Sequence, residues 1–159
     1  MSNEKPKEAG LSRRAILTRL GLAAGSTIRV EDAIRALIVN SANDVAVVVA
    51  EALSGSVSNF AEQATAEARR LGMTRTVFRN PHGLPDSAQV TTAADMAILA
   101  QRLLYGFPQY YHYSSTTRWT FRGTTHRTHN RLMESYAGMD GMKTGYIRSS
   151  GFNLAATAV

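Results

Sequence analysis

Cysteine is absent from the 159 residues, which excludes a disulfide framework, a thiolate zinc site and a cysteine nucleophile while leaving the redox compartment open. No apolar run is long enough to span a bilayer, and there is no internal repeat or low-complexity tract. Acidic residues are the scarcer charge, 12 against 18 basic ones, for a formal net charge of +6. That balance favours acidic partners. The arginines are scattered from Arg13 to Arg148, however, with no aromatic-interleaved basic stripe of the kind single-strand binders use. A solvated basic surface is the better reading, and no nucleic-acid partner is expected.

What is present is the composition of one globular domain, 44% hydrophobic and 19% charged. Met1 to Gly10 are polar and read as a flexible arm. Ser12-Arg13-Arg14-Ala15-Ile16-Leu17 has the opening of a twin-arginine export signal, and Leu20 to Gly25 could begin its apolar segment. Arg29, Glu31 and Asp32 interrupt that segment, so a short amphipathic helix over Arg13 to Leu20 is preferred to a working signal. Residues 1–24 are accordingly set apart as an atypical arm, with the domain proper in 25–159.

From Gly25 onward the periodicity is regular. Ser26-Thr27 can cap a helix whose Val30, Ala33, Ile34, Leu37 and Ile38 share a face and which ends near Asn40. Asp44 to Leu53 reads as a buried helix stopped by Ser54-Gly55, and Ser56 to Leu71 as a third helix stopped by Gly72. Asn80-Pro81-His82-Gly83 and Leu84-Pro85-Asp86 mark a loop after a short extended piece at Thr76 to Phe78. Thr92 with Asp95 imitates a capping box before a helix ending at Gly106. Trp119-Thr120-Phe121 alternates as a strand, Met139-Asp140-Gly141 reads as a turn, and Met142–Ile147 with Phe152–Val159 form an antiparallel hairpin. Helices followed by antiparallel strands predict an α+β fold.

Two triplets carry the chemistry. Ser41-Ala42-Asn43 stands at a junction between two apolar helices, and Lys143-Thr144-Gly145 stands on a strand. Together they are two of the three motifs of a class of serine acyl-transfer sites. The bland alternatives are an N-cap role for Ser41 and a solvent-facing Lys143. His126-Arg127-Thr128-His129 offers two imidazoles with only Glu134 nearby, which reads as a polar strand edge before a zinc site. Tyr110, Tyr111 and Tyr113 are expected to pack beneath the helical lobe.

Further matching text surrounds the triplets: Leu37 to Asp44, Leu71 to Leu84, Thr91 to Met96, His129-Asn130-Arg131-Leu132, and Gly138 to Tyr146. With these in order, the stretch from Gly25 to Val159 resembles the transpeptidase domain of low-molecular-mass penicillin-binding proteins, the serine-type D-alanyl-D-alanine carboxypeptidases. The resemblance implies a partial β-lactamase/transpeptidase-like fold. It also implies hydrolysis of the terminal D-alanine of peptidoglycan stem peptides through an acyl-enzyme, in the cell envelope or periplasm. In that chemistry a serine attacks the carbonyl between two D-alanines, and a lysine one helical turn later takes its proton. Ser41 would relay a proton to the leaving D-alanine, Asn43 would hold the substrate amide, and Lys143 with Thr144 would bind the terminal carboxylate. Gly145 would let the peptide lie along the strand edge, and the Tyr146 N–H would serve as one oxyanion donor. The implied partners are a peptide ending in D-Ala-D-Ala and β-lactams; no metal or organic cofactor is implied.

The third motif of such sites, Ser-x-x-Lys, occurs once as a string, Ser2-Asn3-Glu4-Lys5. Pro6 biases Lys5 away from the helical conformation that would bring both side chains onto one face. The string is therefore read as coincidence and the chain as an interior portion of the domain with an unrelated head, marginally stable and prone to associate. A non-catalytic module binding peptidoglycan or β-lactams through Lys143 and Thr144 remains the alternative.

Overall fold

The computed structural model describes residues 27–158. The expected arm, the twin-arginine-like segment, the helix over Arg13 to Leu20 and the Ser26 half of the expected cap lie outside these residues.

Three helices come first, as the periodicity predicts. Helix α1 (Val30–Asn40) starts later than the expected Ser26-Thr27 cap: Arg29 is its N-cap, with no side-chain cap bond, and Glu31 and Asp32 sit in its positive first turn. Helix α2 (Asn43–Ser54) follows after two residues and ends at Gly55, whose φ of 76° only glycine adopts cheaply. Helix α3 (Val57–Arg70) is capped by Ser56, whose Oγ accepts the Asn59 N–H at 3.1 Å. The buried face of α1 is rotated from the expected one. Ala33, Ala36 and Val39 are inside with Ala42, Val45 and Trp119, whereas Val30 is 71% exposed. Small alanines let the backbones approach, and each valine thus buried is worth about 1.5–3 kcal/mol.

The loop from Leu71 to Thr92 is fastened at both ends. Val77 bridges Val90, and the Gln89 Oε1 accepts the N–H groups of Arg79 and Asn80 at 2.9 and 3.1 Å. Helix α4 (Ala93–Gly106) is capped by Thr92, whose Oγ1 accepts the Asp95 N–H. The reciprocal half of a capping box is not made. The Asp95 carboxylate turns instead to the Arg75 N–H at 2.9 Å and the Thr76 hydroxyl at 2.6 Å.

A short helix α5 (Pro108–Tyr111) leads to strand β1 (Arg118–Phe121), which pairs antiparallel with β2 (Thr124–Arg127). Arg122 and Gly123 both have positive φ, as a tight hairpin turn requires. Trp119 is buried from this hairpin against α1, with the His126 ring 5.6 Å away. After helix α6 (Leu132–Ser135), strand β3 (Met139–Ile147) pairs antiparallel with β4 (Gly151–Ala158), placing Lys143 opposite Ala155 and Tyr146 opposite Phe152. Met139-Asp140-Gly141 is thus the root of β3, not a turn, and carries a register irregularity. The result is the α+β arrangement expected, a helical lobe followed by two antiparallel hairpins.

Candidate active site

Ser41 occupies an unusual backbone position. It follows the last residue of α1 with φ 50° and ψ 44°, the left-handed region normally left to glycine, and the Ala42 N–H reaches back to the Ala36 carbonyl at 3.2 Å. The N-cap of α2 is Ala42, so Ser41 does not serve as that helix's cap. Its side chain is free to face outward from the junction, and it is met there by Lys143. The Lys143 Nζ donates to Ser41 Oγ, and it also donates to the Thr144 carbonyl at 2.8 Å. Both residues are half-buried. The solvent-facing alternative for Lys143 is therefore set aside.

Asn43, the first residue of α2, is half-buried one step along from Ser41. Behind it, Asp44 is fully buried and its Oδ1 accepts the Val45 N–H at 2.9 Å, fixing the start of α2. Along β3, strand alternation puts Thr144 on the face shared with Met142 and Tyr146, opposite to Lys143. Among the described residues β3 pairs with β4 alone, so one of its edges has no strand partner. Gly145 is exposed, and a Cβ there would meet nothing within 4 Å. Tyr146 is largely exposed, its ring 4.6 Å from that of Phe152.

Several polar residues around this site were passed over as carriers of function in the sequence. Tyr111 does not pack beneath the helical lobe: its hydroxyl donates to Asp140 Oδ1 at 3.1 Å and meets Thr157 Oγ1 on β4. Burial pushes its phenol upward; the Thr157 bond opposes this and the Asp140 carboxylate adds to it. Tyr113 does reach the helices, with the Arg35 guanidinium 5.2 Å from its ring centre. Tyr110 is exposed. Asn130 is 3% exposed and lies beside the root of β3. Only the clustering of His129-Asn130 and Asp140 in the matching text pointed toward them. Among the described residues, no group of three metal-ligating side chains comes together.

The model of the D-alanyl-D-alanine carboxypeptidase family matches residues 7–159. This chain belongs to that family. The match begins beyond Ser2-Asn3-Glu4-Lys5. D-alanyl-D-alanine carboxypeptidase DacD of Escherichia coli is 36% identical over 139 residues, which are 87% of this chain and 36% of that protein. The chain thus spans about a third of the length of the curated relatives it matches. Penicillin binding protein 5 of Haemophilus influenzae superposes with a TM-score of 0.84 at 35% identity, covering 89% of this chain and 42% of that one. Penicillin-binding protein D2 of Listeria monocytogenes, in its ampicillin-bound form, gives a TM-score of 0.81 at 28% identity over 95% of this chain and 63% of that one. The carboxypeptidase family and the partial transpeptidase-like fold expected from the triplets are both borne out.

Proposed function

We propose that this chain carries the substrate-binding and proton-relay side of a serine-type D-Ala-D-Ala carboxypeptidase cleft, acting in the cell envelope on peptidoglycan stem peptides. The observation that supports it is the Lys143–Ser41 contact, which joins the two triplets across the fold in a chain of this family. Lys143 presents a cation where a terminal carboxylate would be held, and it keeps a donor on the Ser41 oxygen, so that hydroxyl is oriented for passing a proton. Asn43, at the start of α2, holds the substrate amide. The open space over Gly145 lets an extended peptide pair with the β3 edge, where Thr144 completes the carboxylate site and the Tyr146 N–H serves the oxyanion. In the full reaction, a nucleophilic serine, its proton taken by a lysine base, bonds to the penultimate carbonyl carbon. The C–N bond to the last D-alanine then breaks, Ser41 passes a proton to the departing amine, and water releases the acyl group.

Fluorescent penicillin is the test. Reversible binding that weakens about tenfold or more in Lys143→Ala, the loss of a charge-assisted hydrogen bond, is the expected result. Binding indifferent to Lys143 would sink the assignment. A second reading is a binding module without covalent chemistry, which would hold its ligand through Lys143 and Thr144. A covalent band that survives Ser2→Ala would dismiss it.

A further inference from the structure

The β3–β4 hairpin does not by itself explain how Lys143 comes to lie against Ser41. A two-stranded hairpin is marginal alone, and Ser41 stands on helices 102 positions away in the chain. The root of β3, in contrast, is held from several directions. The Tyr111 hydroxyl donates to Asp140 Oδ1 and meets Thr157 Oγ1, so one phenol ties α5 to both strands. The Ser115 Oγ donates to the Asp140 carbonyl at 2.7 Å. On the next residue, the Asn130 Nδ2 reaches the Gly141 carbonyl at 3.5 Å while its Oδ1 accepts the Leu132 N–H at 3.2 Å. Gly141 leaves no slack, since a Cβ there would stand 3.0 Å from the Ser114 Cβ and 3.2 Å from the Tyr111 hydroxyl. These contacts fall on residues 140 and 141 and on Thr157 of the paired strand, and Lys143 follows Gly141 by two positions on β3.

We propose that Tyr111 is a positioning residue for Lys143: through Asp140 and Thr157 it fixes the root of the β3–β4 hairpin and so sets the lysine against Ser41. The inference rests on the reading of Lys143 and Ser41 as one side of the cleft and says what holds them there. Tyr111 is suited to the task because its half-buried phenol has one proton to donate to Asp140 while its oxygen accepts from Thr157. Phenylalanine would keep the ring packing and lose both bonds.

The composition supplies a clean test. The chain contains three lysines, Lys5, Lys7 and Lys143, so acetic anhydride labelling followed by mass spectrometry reads Lys143 directly against two internal references. In Tyr111→Phe, which loses two bonds, the Lys143-to-Lys5 labelling ratio is expected to rise by at least about fivefold, the shift that loss of a single net hydrogen bond produces. The rise should persist at temperatures where circular dichroism remains native. Ser115→Ala, changed at an exposed side chain, should raise it in the same direction and stands in should Tyr111→Phe fail to fold. A ratio that stays flat in the folded variants, or that rises only in step with global unfolding, overturns the proposal. Ser41→Ala is run alongside. If it raises the ratio while Tyr111→Phe leaves it flat, the clamp alone is wrong; penicillin binding tests the functional reading separately.

Discussion

Ser41 holds a backbone conformation that glycine would hold more cheaply. Left-handed geometry costs a residue with a Cβ about 1–2 kcal/mol, and here that cost falls on a side chain touching the other half of the site. Ser41→Gly and Ser41→Ala both delete the hydroxyl and differ in the Cβ, which carries that backbone cost in the folded state and restricts the unfolded chain. We expect the glycine variant to be about 1 kcal/mol more stable in urea unfolding, with penicillin binding equally impaired in both. Equal stabilities would show the turn to be unstrained. At this scale the sequence displayed Ser41, Asn43 and Lys143 because their motifs are local strings. It hid Tyr111, Asn130 and Asp140, whose roles come from burial and from partners far along the chain.

Helix α4 is anchored at its first turn by the carboxylate of Asp95, its one buried residue. The Thr76 hydroxyl bond chiefly holds that carboxyl below its ordinary value; burial opposes this, and the Arg75 and Thr92 contacts assist it. Its folded value lies below its unfolded one, so the stability it contributes is complete above the ordinary carboxylate range and is lost as pH falls through the lowered value. In thermal melts across acid pH, Asp95→Asn should lower the midpoint at neutral pH and flatten its decline below about pH 4. A parallel decline in both proteins would assign the acid sensitivity elsewhere. Element order was legible because periods of 3.6 and 2 survive in the sequence. The root of β3 was misread because Met-Asp-Gly has turn chemistry, and only tertiary clamping holds it extended. The face of α1 was misread because the apolar stripe is broader than the narrow alanine seam on which the helices meet.

Across the whole molecule, protection is uneven. Large apolar side chains stand exposed on the helices, Val30, Leu53 and Tyr105 among them, but singly, whereas Phe152, 90% exposed, and Leu154, 43% exposed, share one face of β4. The run Gly151–Ala158 contains neither a charge nor a proline, the usual guards of an edge strand. The positive net charge lies elsewhere and does not shield this face. We expect concentration-dependent self-association in sedimentation velocity, reduced by Phe152→Lys. A monomer at all concentrations would refute it. The sequence announced the fold class but not this exposed face, since a strand written Phe-Asn-Leu-Ala reads the same whether or not its apolar side is covered.

The Lys143–Ser41 contact closes a loop of 102 positions. Closing a loop of that length costs about 4 kcal/mol in chain entropy beyond a constant, and contacts so distant in sequence form late. The cleft is therefore a checkpoint on folding. It exists only once the helices and the hairpin have each formed and met, and a ligand gripped by both sides acts as a reversible cross-link across most of the chain.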